Sequence, residues 1–513
     1  MVIVLALLAL AVYRPWVPRP FDIRDFSEFL PILRGEGGVG GHFVALARYY
    51  AHDHGRLNLV SYLGLAVKWS LFGDGTWLWQ WARVGEMALV MMAVTLFLRR
   101  LAFGLVAALA GASLFLVSRT ASEGWTRLTM GEPFGLLLAL GALLCAVRWN
   151  ESRRSVAAAA GAGLLMLLAV LAKEMLFGLL PLVWLVGCCR RSDGTLGPPT
   201  LDAATRRFLL WSGVPAITAF GVAALVALGG RSDGFTALYG ESPSGVTQLV
   251  NHFGRPWLIQ GAVAPVAFLL PGNVLFLGAI ASGALLLRRP VATRRDGGWI
   301  FLAATGLALA YTALYLPWPY TESYYAMPFL LGPALLFALA IQAMQDAGRR
   351  WPLVGLLVWA GTLGATAPGI AQATSIGIAT QQVNGEITSW FARVARADRI
   401  VVARGNLPPQ PWMGRGATLR RFALANRIAP ALPPAEDLLC PDAAALVEPG
   451  LKRSVVVSYR PGCGSIPGAQ YSVTRRYRYA LVWWDGVTIV DDSLGADLLA
   501  GPEAMPFTEA AHP

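Results

Sequence analysis

Three carboxylates recur at spacing three in the string Phe21-Asp22-Ile23-Arg24-Asp25-Phe26-Ser27-Glu28-Phe29. On a helix this spacing puts Asp22, Asp25 and Glu28 on one face, where a carboxylate can take or deliver a proton. The plainer alternative is a solvated acidic turn with Arg24 as local partner, in which Asp25 serves as an N-cap. A second feature is Lys173-Glu174, squeezed between apolar runs in Leu171-Ala172-Lys173-Glu174-Met175-Leu176. Ionisable residues at membrane depth mark function by default, and lysine suits a phosphate as a compact cation. The alternative is a snorkelling pair at a helical hairpin tip.

Further polar residues collect in the connections between apolar runs. Arg119, Glu123, Arg127 and Glu132 sit around 118–133, and Arg231, Asp233, His252 and Arg255 border 230–256. Arginines from separate connections can clamp a phosphate bidentately. The segment Pro317-Trp318-Pro319-Tyr320-Thr321-Glu322-Ser323-Tyr324-Tyr325 is either a sugar platform or part of an interfacial aromatic belt. Glu28, Arg56, Trp318, Tyr320, Glu322 and Tyr324 are the candidates for contact with a sugar or an acceptor.

Two motifs are set aside. Gly35-Glu36-Gly37-Gly38-Val39-Gly40 matches a dinucleotide fingerprint, but no strand precedes it and no βαβ unit surrounds it. His42, His52, Asp53 and His54 share one loop, yet adjacent His-Asp-His is not a ligand spacing for a helix face. No cofactor is expected to be required, and nothing in the sequence supports a divalent metal.

These residues need a scaffold, and composition names it. The chain has 513 residues, 56% hydrophobic and 14% charged, with mean hydropathy +0.53; a soluble protein carries roughly a quarter charged. It reads as a polytopic α-helical membrane protein. The net charge of +12 lies in short arginine pairs between apolar runs instead of one stripe, which argues against a nucleic-acid partner. Apolar runs fall at 2–13, 84–98, 101–117, 131–147, 156–171, 175–189, 208–229, 257–287, 298–316, 324–345 and 351–370, giving eleven expected transmembrane helices. Several fall short of the roughly 20 residues a span needs and must recruit flanking residues. Residues 2–13 lack a basic start and a cleavage site, and read as a first helix, not a signal peptide.

Arginine sets the expected orientation. One alternate set of connections holds fifteen arginines, among them Arg99, Arg100, Arg148, Arg190, Arg191, Arg288, Arg289, Arg349 and Arg350. The alternate short connections, 118–130, 172–174, 230–256 and 317–323, hold five basic residues: Arg119, Arg127, Lys173, Arg231 and Arg255. The basic set belongs in the cytoplasm, which puts the N-terminus inside and both the 14–83 loop and everything after 370 outside, in a plasma or bacterial inner membrane. Within the loop, 26–33 and 43–50, continuing toward 57–72, look amphipathic and suited to the membrane surface.

Residues 1–370 form the expected membrane domain, and 371–513 a small extracytoplasmic α/β or mostly β domain. In that tail, 454–459 and 477–490 are rich in Val, Tyr and Trp, with Asp485-Gly486 a hairpin turn between 479–484 and 487–490. Cys440 and Cys463 are its two cysteines, and on the oxidising side of a membrane such a pair reads as a disulfide.

A first helix, an acidic motif early in a long outward loop, Gly55-Arg56-Leu57-Asn58 followed by Leu71-Phe72-Gly73, the Lys173-Glu174 pair and a soluble outward tail go together. This arrangement resembles the GT-C superfamily of polyprenyl-phosphate-dependent glycosyltransferases, which includes protein O-mannosyltransferases and lipid A aminoarabinose transferases. The resemblance covers about residues 1–370. It implies an inverting hexosyl- or pentosyltransferase taking a polyprenyl-phosphate-linked sugar, with a glycan, lipid or protein acceptor. It further implies Asp22 or Asp25 as the base, Lys173 at the lipid-linked phosphate and Glu174 as its orienting partner. The chain departs from the neatest family pattern, because Ile23 and Arg24 separate the two aspartates.

Such chemistry is self-consistent: donor and acceptor are held in line, one proton is accepted, and cations stabilise the departing phosphate. The rival readings are a lipid or polysaccharide flippase, an ion-coupled transporter and a non-catalytic scaffold for the tail. A flippase is expected to carry charges deep inside several spans, whereas these gather at loop edges; a transporter is expected to show repeats or broken helices.

Overall fold

The computed structural model describes residues 1–17, 29–30, 32–35, 37–53, 55–129, 131–152, 155–192, 195–199, 201–229, 323–346 and 352–364, isolated positions at 299–307 and 366–374, and five strand segments beyond 398. The chain divides into two units: Met1–Pro18, Gly38–Phe235 and Glu241–Thr374 form one, and Arg19–Gly37, Thr236–Gly240 and Ser375–Pro513 the other.

The first unit is almost entirely helical. Its elements are α1 (Val2–Tyr13), α2 (Val39–Asp53), α3 (Leu59–Phe72), α4 (Thr76–Arg100), α5 (Leu105–Val117), α6 (Arg119–Thr126), α7 (Glu132–Glu151), α8 (Val156–Ala172), a 3-10 turn at Glu174–Leu179, α9 (Leu180–Cys188), α10 (Ala203–Gly229), a second 3-10 helix at Ser323–Leu330, α11 (Leu331–Gln345) and α12 (Pro352–Gly364). Among the described residues, Thr76–Arg100, Glu132–Glu151, Ala203–Ala227 and Met327–Gln345 are long and apolar enough to cross a membrane. At roughly 1.5 Å per residue, the 25-residue α4 reaches about 37 Å, against a hydrocarbon core near 30 Å. Every expected apolar run within the described residues carries a helix, several of them short; 257–287 and most of 298–316 lie outside the described residues.

Local chemistry explains the boundaries. Helix α1 ends where Arg14 takes a left-handed conformation (φ 42°) ahead of Pro15, which cannot donate to a continuing helix. Tyr13 beside it donates its hydroxyl to the Leu116 carbonyl at 2.9 Å, fastening α1 to α5. Helix α8 starts on Ser155, whose hydroxyl accepts from the Ala158 amide as an N-cap does. It stops at Lys173, whose backbone is extended. Small residues let neighbours close in, as in membrane bundles: a Cβ at Gly163 of α8 would lie 2.1 Å from the Trp211 carbonyl of α10.

The helices pack so that their connections collect at two ends. At one end Arg100 meets Glu151 at 3.1 Å, Asn150 donates to the Val186 carbonyl at 2.7 Å, and the Gly104 amide donates to Gln342 Oε1 at 2.7 Å. At the other, α6 packs on the Ser323–Leu330 helix, which also touches α7 and the Glu174–Leu179 turn. The two alternate sets of connections distinguished by their arginines therefore separate in space wherever they are described.

A short hairpin after α9 was not expected from the sequence. Strands β1 (Cys189–Ser192) and β2 (Thr195–Pro199) pair antiparallel, Ser192 opposite Thr195.

The second unit contains a mixed sheet of order β4-β3-β5-β7-β6, built from β3 (Arg399–Arg404), β4 (Ala435–Leu439), β5 (Ser454–Ser458), β6 (Tyr471–Val473) and β7 (Val487–Asp491). The Val-rich β3 and β5 run parallel, Val401 opposite Val456, as central strands do. Strand β7 pairs with β5 on one edge and with β6 on the other. Both its edges are therefore taken, by β5 and by Tyr471–Val473; the hairpin partner expected from the sequence is 479–484. Residues 479–484 lie outside the described residues.

Candidate functional site

Helices α7 and α8 lie side by side, and the start of one meets the end of the other. Glu132 opens α7, where a carboxylate is favoured by the helix dipole, and Lys173 closes α8. Lys173 Nζ stands 3.1 Å from Glu132 Oε1, with the side chains 11% and 2% exposed. The contact is an ion pair lacking hydrogen-bond alignment, because Glu132 Oε1 receives no hydrogen bond among the described residues. Glu174 begins the 3-10 turn, and its Oε2 is buried with no hydrogen-bond partner among the described residues.

Helix α3 docks at the same place. Ser61 donates its hydroxyl to the Ala172 carbonyl at 2.6 Å. Gly131 makes this possible, since a Cβ there would lie 1.9 Å from Ser61 Oγ and 3.3 Å from the Ala172 oxygen. One turn before Ser61, Asn58 occupies the N-cap position of α3, yet its side chain makes no capping bond. Asn58 is 7% exposed, and its Oδ1 also has no hydrogen-bond partner among the described residues. A buried acceptor left without a donor costs roughly 1–3 kcal/mol. Glu132, Glu174 and Asn58 thus bring unused acceptor atoms to one end of the bundle.

A second ionic cluster braces this region. Glu86 of α4 accepts from Lys68 of α3 through one oxygen and from Arg83 through the other, the latter at 2.6 Å. Arg83 donates with its other terminal nitrogen to the Leu128 carbonyl at 2.6 Å. Buried charges persist when paired and hydrogen-bonded, and the Arg83 side chain is only 3% exposed. The cluster ties α3 and α4 to the connection that leads into Glu132.

The expected site residues distribute unevenly. Lys173 and Glu174 lie in the site, with Glu132 as the described partner of Lys173. Arg127 is buried beside Leu128 in the same connection, Arg119 begins α6, and Tyr324 lies in the 3-10 helix packed on α6. Arg56 is half-buried, and its amide donates to the Tyr50 carbonyl at 3.0 Å. Asp22, Asp25, Glu28, Arg255, Trp318, Tyr320, Glu322, Cys440 and Cys463 lie outside the described residues. Among the described residues no three His, Cys, Asp or Glu gather as metal ligands would. Sequence reasoning passed over Lys68, Arg83 and Glu86; the signal was a lysine inside an apolar helix and an Arg and Glu three apart at the head of an apolar run.

No protein-family model matches the chain, and no curated protein matches it in sequence. In structure it is similar to the Archaeoglobus fulgidus oligosaccharyltransferase. Against the apo form the TM-score is 0.44 at 14% identity, over 73% of this chain and 55% of that one. Against the complex with Zn and sulfate it is 0.47 at 12% identity, over 89% and 67%. The match thus spans little more than half the length of the archaeal chain in the apo structure.

Proposed function

We propose that this chain is a multi-pass membrane glycosyltransferase that moves a sugar from a polyprenyl-phosphate donor to an acceptor at the outer face of a plasma membrane. The observation that carries this reading is the pairing of buried Glu132 and Lys173 beside Glu174, whose Oε2 is buried, at the end of the bundle that gathers the arginine-poor connections. In the reaction the bond from the anomeric carbon to the phosphate oxygen breaks as the acceptor oxygen attacks in line. The phosphate leaves with the electron pair, and the acceptor proton passes to Asp22 or Asp25. Lys173, with Arg119, Arg127 and Arg255, supplies the positive field that stabilises the leaving phosphate. Glu28, Arg56, Trp318, Tyr320, Glu322 and Tyr324 contact the sugar or acceptor, and no cofactor takes part. The N-terminus lies in the cytoplasm and the tail outside, braced by a Cys440–Cys463 bridge.

A flippase draws support from Arg83 and Glu86, which are charged residues inside a helix long enough to span. Their chemistry is spent on Lys68 and on the Leu128 carbonyl of a connection, so they brace one end of the bundle and do not line a path through it. The test is to incubate purified protein with polyprenyl-phosphate sugars and follow sugar release or transfer. The proposal expects turnover that an Asp22→Asn, Asp25→Asn double variant loses; identical behaviour of the two overturns it.

A further inference from the structure

Lys173 pairs in space with Glu132 and is followed in the chain by Glu174. Glu132 and Glu174 set two carboxylates against one ammonium, and the ammonium is already engaged by Glu132 at 3.1 Å. Three of the atoms, Glu132 Oε1, Glu174 Oε2 and Asn58 Oδ1, are buried and receive no hydrogen bond among the described residues. They come from three separate segments held together by the Ser61 bond to the Ala172 carbonyl and by the close fit of Gly131 on Ser61. Asn58 is independent of the acidic pair: it is neutral, more than nine-tenths buried, and sits one turn from Ser61 with its capping role unused. Carboxylates repel phosphate oxygens and accept readily from hydroxyl groups. A site that needs donors and carries surplus negative charge matches a polyhydroxylated ring, not an anion.

We infer that Glu132, Glu174 and Asn58 form a hydroxyl-receiving subsite that holds the sugar ring of the donor, with Lys173 at the border between sugar and phosphate. The inference rests on the glycosyltransferase reading for the identity of the ligand. The sugar hydroxyls donate to the three acceptor atoms; the phosphate lies beyond Lys173, toward the arginines of the neighbouring connections. This arrangement reads the sugar by its hydroxyl pattern, so specificity among lipid-linked sugars resides here.

The test measures binding of bare decaprenyl phosphate and of decaprenyl phosphates carrying arabinose, mannose, glucose or galactose to purified full-length protein. Wild type is expected to bind at least one glycosylated lipid about tenfold more tightly than the bare lipid. Asn58→Ala is expected to bring that lipid close to the bare lipid's affinity while leaving the bare lipid unchanged, which also shows that the variant is folded, and Glu174→Ala is expected to lower the ratio of the two affinities to the same extent. Glu174→Gln, which keeps an acceptor oxygen, is expected to retain part of the preference. Equal weakening of both lipids, unchanged binding of the glycosylated lipid, or no wild-type preference would overturn the inference. A transfer assay on the same samples separates the two readings: transfer without sugar-selective loss in the variants overturns only the subsite, whereas sugar-selective binding without transfer overturns only the glycosyltransferase.

Discussion

Lys173 and Glu132 face each other 3.1 Å apart across the seam of α7 and α8, with the glutamate side chain 2% exposed. Neither charge has water to fall back on if its partner is removed. Glu132→Ala or Lys173→Ala is therefore expected to destabilise the protein by about 3 kcal/mol, the cost of stranding one buried charge. The Glu132→Leu, Lys173→Met double variant is expected to cost clearly less than the two single losses combined. Thermal unfolding in detergent, read as a double-mutant cycle, checks this.

Gly131 is expected to tolerate no side chain while Ser61 stands opposite. Gly131→Ala puts a methyl 1.9 Å from Ser61 Oγ and 2.8 Å from its Cβ, so it should lower the midpoint of thermal unfolding. Ser61→Gly in the same chain removes both clashing atoms and should recover most of the loss. Failure of that rescue would mean that α3 does not dock on the Gly131–Ala172 contact.

Arg83 needs a forked side chain because it serves Glu86 and the Leu128 carbonyl together. Arg83→Lys keeps the charge but not the fork. The expected result is a loss of about 2 kcal/mol, with faster amide hydrogen exchange over 127–132. Unchanged exchange there would show that Arg83 does not brace the segment leading to Glu132.

The two ends of the bundle should be chemically distinguishable in intact cells. With the five native cysteines replaced by serine, Asp74→Cys in the turn between α3 and α4 is expected to react with a membrane-impermeant maleimide. Asp346→Cys, at the end of α11, should react only after permeabilisation. Reversed labelling would invert the orientation argued from arginine.

The scaffold was legible because it is written in short-range signals. Apolar runs gave helices at 156–171 and 175–189 to within a few residues, whereas the helix expected at 84–98 begins eight residues earlier, at Thr76, within the expected 14–83 loop; the alternation of arginines anticipated which described connections share an end. Lys173-Glu174 stood out because charge between apolar runs is costly. The partner of Lys173 was not legible: Glu132 was one polar residue among several in its connection, and only the pairing of α7 with α8 selects it. Lys68 and Glu86 were hidden for a similar reason, since a lysine inside 59–72 reads as a surface charge until α4 is packed against it. In the tail, Asp485-Gly486 has the composition of a tight turn and lies outside the described residues, while the pairing of β7 with Tyr471–Val473 was not legible because that segment is short and far from it in the chain.

The most direct test of the account is sugar release from polyprenyl-phosphate arabinose, mannose, glucose and galactose by purified wild type and by Lys173→Met. The account predicts turnover of at least one of these lipids by wild type and a fall of at least about a hundredfold in the variant, the scale on which a charge stabilising a leaving phosphate is felt. Wild-type protein that leaves every lipid intact, or a variant that turns over as fast as wild type, would contradict it.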